Sequence, residues 1–243
     1  MIDDRSGPKV GVLLPFTNCN LEPDLALLRP PGVTFHMARL GGYDADEIPG
    51  SDQMAGLGRT DMSEALRLIS GVRPAAVLYG CTSATLTHGP AFDRDLAATI
   101  QASSGARSIT AAGAVVAALR DLGATRIGFA SPYVREVNDQ AVVFLTSEGL
   151  EIVACADIGR DLGNYGQGEL MPDEIFDLAC RANGSDVQAV VLSCTDMRAV
   201  EVIDRVEAVV GKPVVTSNQA MVFTLCQTLG IPLPTGPFGR LYA

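Results

Sequence analysis

Short apolar runs alternate with helix-like stretches along most of the chain, the pattern of parallel strands buried on both faces between covering helices. The clearest runs are KVGVLLPF (9–16), AAVLYGC (75–81), RIGFASPY (126–133), QAVVLSC (188–194) and KPVVTS (212–217), and each is predicted to be a strand. Between them DMSEALRLISG (61–71) reads as a helix, with Asp61 at its N-cap, Glu64 three residues later and Gly71 just past its end. AGAVVAALRDLG (112–123) and AVEVIDRVEAVVG (199–211) also end in glycine, and all three glycines are predicted to close their helices.

The pattern is stated twice. A strand from Val10 to Pro15 precedes one that ends at Cys81, and a strand from Arg126 to Pro132 precedes one that ends at Cys194, at nearly equal spacing. After each cysteine come a helix and a further strand-to-helix unit, SITAAGAVVAAL (108–119) and then VVTSNQAMVFTL (214–225). The expectation is an α/β protein of two similar lobes, each with a small parallel sheet, related by a pseudo-twofold axis. Residues 1–116 with 217–243 are expected to form the first lobe, and 117–216 the second. Ligands of open parallel sheets sit outside the carboxyl ends of the strands, so the active site is expected in the cleft between the lobes.

At 243 residues the chain can bury a core without disulfides. A formal charge of −10 without clustered Lys and Arg argues against nucleic acid as a partner. No run reaches the roughly 18 to 20 apolar residues of a membrane span. The start, MIDDRSGPKV, lacks the apolar region of a signal peptide, so a cytoplasmic protein is expected, with no membrane partner. The six cysteines are then expected to be reduced. With no C-x-x-C pair and two histidines, no metal is expected. The acidic balance still allows an anionic substrate, because backbone N–H groups and hydroxyls can hold a carboxylate locally. Self-assembly into a homo-oligomer is left open.

Cys81 and Cys194 carry the chemistry. A buried cysteine often serves only as a small hydrophobe, and that reading is taken for Cys155, Cys180 and Cys226. The matched strand-end settings of Cys81 and Cys194 favour function instead. A helix N-terminus draws a thiol toward thiolate. Two opposed thiols can remove a proton from one face of a carbon and return one to the other, or one can add to a double bond while the other supplies a proton. Thr82, Ser83 and Thr195 follow the cysteines and can cap helices or help to cradle a carboxylate. Asn18 lies just past the first strand, and Tyr133 occupies the corresponding exit in the second half; each has an amide or phenol able to reach the cleft. Cys19 and a Cys81–His88 couple are weaker candidates. Cys81, followed by hydroxyls, is expected to ionise more readily than Cys194, which has Asp196 nearby unless that carboxylate turns to solvent or pairs with Arg198.

On GVLLPFTNCNLE, YGCTSAT, SPYVREVN, LSCTD and the closing GPFGRLY, the chain resembles the aspartate/glutamate racemase superfamily. The resemblance is to the branch holding maleate cis–trans isomerases, arylmalonate decarboxylases and racemase-like proteins of ectoine degradation. It spans nearly the whole chain and implies two α/β lobes, a site between them and no cofactor or metal. By the same resemblance Cys81 and Cys194 match the paired cysteines, and Asn18 a carboxylate-binding asparagine. Thr82, Ser83 and Tyr133 match positions that hold an enediolate-like intermediate, and Asn164 a further asparagine of the isomerases. Cys81 stands where the decarboxylase has glycine, which favours a racemase or cis–trans isomerase acting beside the carboxylate of a small amino acid or dicarboxylic acid. An arylmalonate-type decarboxylase and a non-catalytic small-acid binding protein are the alternatives.

Overall fold

The computed structural model describes residues 6–42, 47 and 49–243. The first half runs β1 (Lys9–Pro15), α1 (Leu21–Leu27), β2 (Thr34–Leu40), α2 (Ser51–Gly58), α3 (Ser63–Ser70), β3 (Ala76–Tyr79), α4 (Thr82–Leu86), α5 (Pro90–Ser104), β4 (Arg107–Thr110) and α6 (Ala111–Asp121). The second runs β5 (Arg126–Ala130), α7 (Arg135–Ser147), β6 (Glu151–Ala156), α8 (Gly166–Glu169), α9 (Pro172–Arg181), β7 (Ala189–Leu192), α10 (Ile203–Val210), β8 (Val214–Thr216) and α11 (Ser217–Leu229). Two four-stranded sheets result, in the orders β2-β1-β3-β4 and β6-β5-β7-β8, with every strand pair parallel. The expected doubling of one α/β unit is therefore borne out, with an unexpected edge strand, β2 or β6, added to each half.

The apolar runs explain which strands are central. Val10, Val12, Leu13 and Leu14 of β1 and Ala189 to Leu192 of β7 are fully buried, because helices cover both faces of these strands. The edge strands β2 and β6 are mostly half-exposed, and their mixed composition forms no continuous apolar run. The strand-to-helix units agree closely. Thr110 caps α6 by accepting the Gly113 N–H at 3.2 Å. Thr216 caps α11 by accepting the Gln219 N–H at 3.1 Å, and Gln219 returns the bond to the Thr216 N–H at 3.2 Å. α6 and α11 then pack along each other, with α11 also touching β4 and α1.

Three local expectations change. Asp61 accepts the Ser63 N–H at 2.9 Å, but Met62 holds the N-cap of α3 and Glu64 turns to Arg67 instead of closing a capping box. Gly71 ends that helix in right-handed geometry, whereas Gly211 takes the expected left-handed one. The helix expected from 199 begins as a 3-10 turn over Val200–Val202 and becomes α-helical only at Ile203. Among the described residues no helix is long and apolar enough to cross a membrane.

Candidate active site

In each sheet the chain leaves the first central strand in one direction and returns on its other side, so the connections part between β1 and β3 and between β5 and β7. Such a switch point opens a crevice at the carboxyl ends of the strands. Asn18 follows β1 and Cys81 follows β3; Tyr133 follows β5 and Cys194 follows β7. The four residues line one cleft with about 340 Å³ of open space.

Cys81 occupies the N-cap of α4 in extended conformation, φ −141° and ψ 106°. The residue before it is a glycine in a crowded place, where a Cβ would meet the end of the Leu21 side chain and press on the Leu13 carbonyl oxygen. That close approach lets the Gly80 N–H donate to Leu13 at 2.7 Å. The Cys81 sulfur lies 3.8 Å from Ser83 Oγ. Burial raises the Cys81 pKa; the Ala84 and Ser83 N–H groups and the Ser83 hydroxyl pull it back, while the charge of Asp196 adds to the rise.

Cys194 has no helix start behind it. A turn follows, from which the Asp196 N–H donates to the sulfur at 3.3 Å, and the thiol in turn donates to Gln167 Oε1 at 3.8 Å. Burial pushes this thiol far above its ordinary range and the Asp196 carboxylate pushes it further, against the opposing Asp196 N–H and Tyr133 phenol. Asp196 is itself buried. Its Oδ1 accepts the Cys19 N–H at 2.9 Å, the Asn20 N–H at 3.0 Å and the Asn20 side-chain amide at 3.2 Å. Arg198 pairs with Glu201 instead.

The two corners are stitched across the cleft. Asn18 Nδ2 donates to Thr195 Oγ1 at 3.0 Å, and the Thr195 hydroxyl donates to the Gly80 carbonyl at 2.9 Å. The Asn18 side-chain oxygen accepts the Leu21 N–H at 2.9 Å. Thr82 donates to Ser217 Oγ at 2.9 Å, Ser83 to Met54 Sδ at 3.0 Å, and the Tyr133 hydroxyl stands 3.4 Å from Ser193 Oγ. Thr82, Ser83 and Thr195 thus join Asn18, Tyr133 and the two cysteines along the cleft.

Asn164 is buried in the stretch before α8, outside the cleft lining; the residue of that region that reaches the cleft is Gln167. Met54 and Leu57 of α2 supply an apolar wall. Their helix follows a strand whose exposure masked it, and only contact across the fold brings it to Cys81. His88 lies outside the cleft, bonded to the Ala55 carbonyl at 3.0 Å and packed on Phe92 with ring centroids 4.1 Å apart. Cys19 sits at the surface with its thiol against Asp196. Cys226 is buried in α11, and burial alone pushes its pKa up to about 12.

Two matched sheets that each bring a buried thiol to their switch point define a two-lobed α/β protein with a paired-thiol cleft. The sequence profile of the arylmalonate decarboxylase family matches residues 10–242, and the chain belongs to that family. It is 25% identical to the maleate isomerase of Nocardia farcinica, over 96% of this chain and 94% of that protein. To the arylmalonate decarboxylase of Bordetella bronchiseptica it is 27% identical, over 97% and 93%. The crystal structure of the maleate isomerase Iso from Pseudomonas putida S16 shares the fold, with a TM-score of 0.87 at 24% identity over 97% of this chain and 98% of that one. A glycine-to-cysteine mutant of arylmalonate decarboxylase gives a TM-score of 0.81 at 27% identity, over 97% and 99%. Isomerases and a decarboxylase are thus both among the relatives that span nearly the whole chain.

Proposed function

We propose that the chain is a cofactor-independent isomerase that uses Cys81 and Cys194 as an acid–base pair beside the carboxylate of a small acid. The observation that supports this most is the placement of both thiols, buried, at equivalent strand ends on one cleft. In the scheme one sulfur, as thiolate, takes the proton from the carbon next to the carboxylate. The opposite thiol delivers its proton to the other face, so composition is unchanged and the thiolate has changed sides. Asn18, Thr82, Ser83, Tyr133 and Thr195 hold the carboxylate and the charge that develops on it. Asn164 joins them only if the stretch that carries it moves inward. For an alkene substrate, Cys81 adds to the double bond and Cys194 protonates the neighbouring carbon, which permits rotation before elimination.

Among the described residues that line the cleft, Asp196 is the one carboxylate, and no lysine or arginine accompanies it. A zwitterionic amino acid suits that balance better than a dianion, since its ammonium group meets the negative side of the pocket. Racemisation is therefore the leading reading. Cis–trans isomerisation of a dicarboxylic acid is the second, favoured by the curated relatives that bear the name maleate isomerase. The proposed lobe boundaries, 1–116 with 217–243 and 117–216, assign α11 to the first lobe, which its contacts with α6, β4 and α1 support.

The test is incubation in D₂O with small amino acids and small dicarboxylic acids, followed by NMR and chiral chromatography. Deuterium at the carbon next to the carboxylate with loss of enantiomeric purity supports racemisation. Conversion of the alkene isomer alone supports the second reading. Release of CO₂ from an arylmalonate without either change overturns both.

A further inference from the structure

The first turn of α11 touches both thiol corners through consecutive residues. Ser217 accepts the Thr82 hydroxyl at 2.9 Å beside Cys81. Asn218 donates from Nδ2 to the Thr195 carbonyl at 3.1 Å beside Cys194. The same Nδ2 donates to Asp24 Oδ2 of α1 at 2.7 Å, so both of its protons are committed. Asn218 is 1% exposed and Asp24 3%, while Asn218 Oδ1 is buried with no hydrogen-bond partner.

That orphan oxygen is the informative part. A buried amide ordinarily satisfies its acceptor as well as its donor, and an unmet one is destabilising. The orientation observed is the one that an ionised Asp24 demands, because a carboxylate only accepts hydrogen bonds. A proton on Asp24 Oδ2 turns that oxygen from acceptor to donor, and its contact with Nδ2 then sets two donors against each other. Turning the amide so that Oδ1 accepts from Asp24 also aims Oδ1 at the Thr195 carbonyl, where two acceptors oppose each other, and the hold on the Cys194 corner is lost.

We propose that Asn218 is a positioning residue that fixes the Cys194–Thr195 turn relative to Cys81, and that the protonation state of Asp24 selects the amide orientation in which it does so. The scheme rests on the two-thiol reading for its catalytic consequence but not for its structural one. The charged groups facing Asp24 are Glu201, Arg198 and Asp196. Arg198 is held by Glu201 at 2.7 Å, and Asp196 by the N–H groups of residues 19 and 20. Arg198, the cation that faces Asp24, is thus engaged elsewhere, and burial raises the Asp24 pKa to about 7. The switch thus falls near neutrality, below the ionisation of either thiol.

The experiment follows the rate of Cys194 alkylation by iodoacetamide against pH, mapped by mass spectrometry, together with kcat and KM on whichever acid the panel identifies. Both are measured in wild type and in Asp24→Asn, whose amide oxygen can accept the Asn218 bond without titrating. Wild type is expected to show an inflection near pH 7 in both readouts, with kcat falling on the acid side and KM little changed. Asp24→Asn is expected to lose that inflection and to keep its alkaline kcat at pH 6. Asn218→Ala is expected to lower kcat on the order of 10- to 100-fold, the scale of a slight misplacement of reacting groups. An inflection near pH 7 that persists in Asp24→Asn, or its absence from wild type, overturns the proposal. Full activity in Cys81→Ser and Cys194→Ser would instead overturn the two-thiol reading and leave the alkylation result to stand alone.

Discussion

Cys81 and Cys194 occupy equivalent corners of a doubled fold, yet their surroundings differ in kind. The first corner runs directly into α4, so helix N–H groups and the Ser83 hydroxyl approach the Cys81 sulfur. The second runs into a turn, and there the sulfur meets a single N–H together with the buried Asp196 carboxylate. Duplication supplied two thiols, and the divergent segments behind them made the thiols unequal. Burial raises both thiols, but at Cys81 helix N–H groups and the Ser83 hydroxyl offset part of that rise, while at Cys194 the Asp196 carboxylate adds to it, which suits a resting state with Cys81 as nucleophile or base and Cys194 as proton donor.

Removal of either sulfur has the largest expected effect. Cys81→Ser and Cys194→Ser are each expected to lower kcat about 10²- to 10⁴-fold in the deuterium-exchange assay. The double variant should be little worse than either single one, because the pair works as a unit. Additive losses would mean that the corners act independently.

Next in size is the clamp behind the Cys194 corner. The pKa of Asp24 rises from 3.8 to about 7 on folding, so the folded state keeps a proton that the unfolded chain releases. Stability then falls as pH rises from about 4 to about 7 and is level above that, a loss on the order of 4 kcal/mol from this one group. Urea unfolding at a series of pH values should show that share of the slope in wild type and not in Asp24→Asn.

The residues that precede the two cysteines give a smaller contrast. Gly80→Ala forces a methyl group against Leu21 and the Leu13 carbonyl and should cost about 1–3 kcal/mol in the same unfolding assay. Its counterpart Ser193 is buried with its hydroxyl at 3.4 Å from the Tyr133 phenol, and Ser193→Ala should cost no more than about 1 kcal/mol. The smallest effect belongs to cysteines outside the cleft. Cys155→Ser and Cys180→Ser, at exposed or half-buried positions, should leave stability within about 0.5 kcal/mol and turnover unchanged.

How much of this was legible in the chain follows from burial. Strands β1, β3, β5 and β7 are covered on both faces and wrote continuous apolar runs, and the thiols stand where those runs stop. β2 and β6 lie at sheet edges, where THR-PHE-HIS and GLU-ILE-VAL openings leave no period to read. The cleft residues next to strand ends, Asn18, Thr82, Ser83, Tyr133 and Thr195, were visible because strand ends are predictable. Met54, Gln167 and the Asp24–Asn218 pair reach the site only through packing between elements far apart in sequence. The burial of Asp196 depends on the N–H groups of Cys19 and Asn20 from the other lobe, a partnership that no local pattern records.

Two like thiols share one cleft and are unequal within it. The most direct test of that inequality is the pH dependence of iodoacetamide alkylation at the remaining cleft thiol in Cys81→Ser and in Cys194→Ser. The expected result is a lower apparent pKa for Cys81 than for Cys194, with protection of both by the bound small acid. A lower apparent pKa at Cys194, or a cleft ligand that protects only one of the two, would contradict the account.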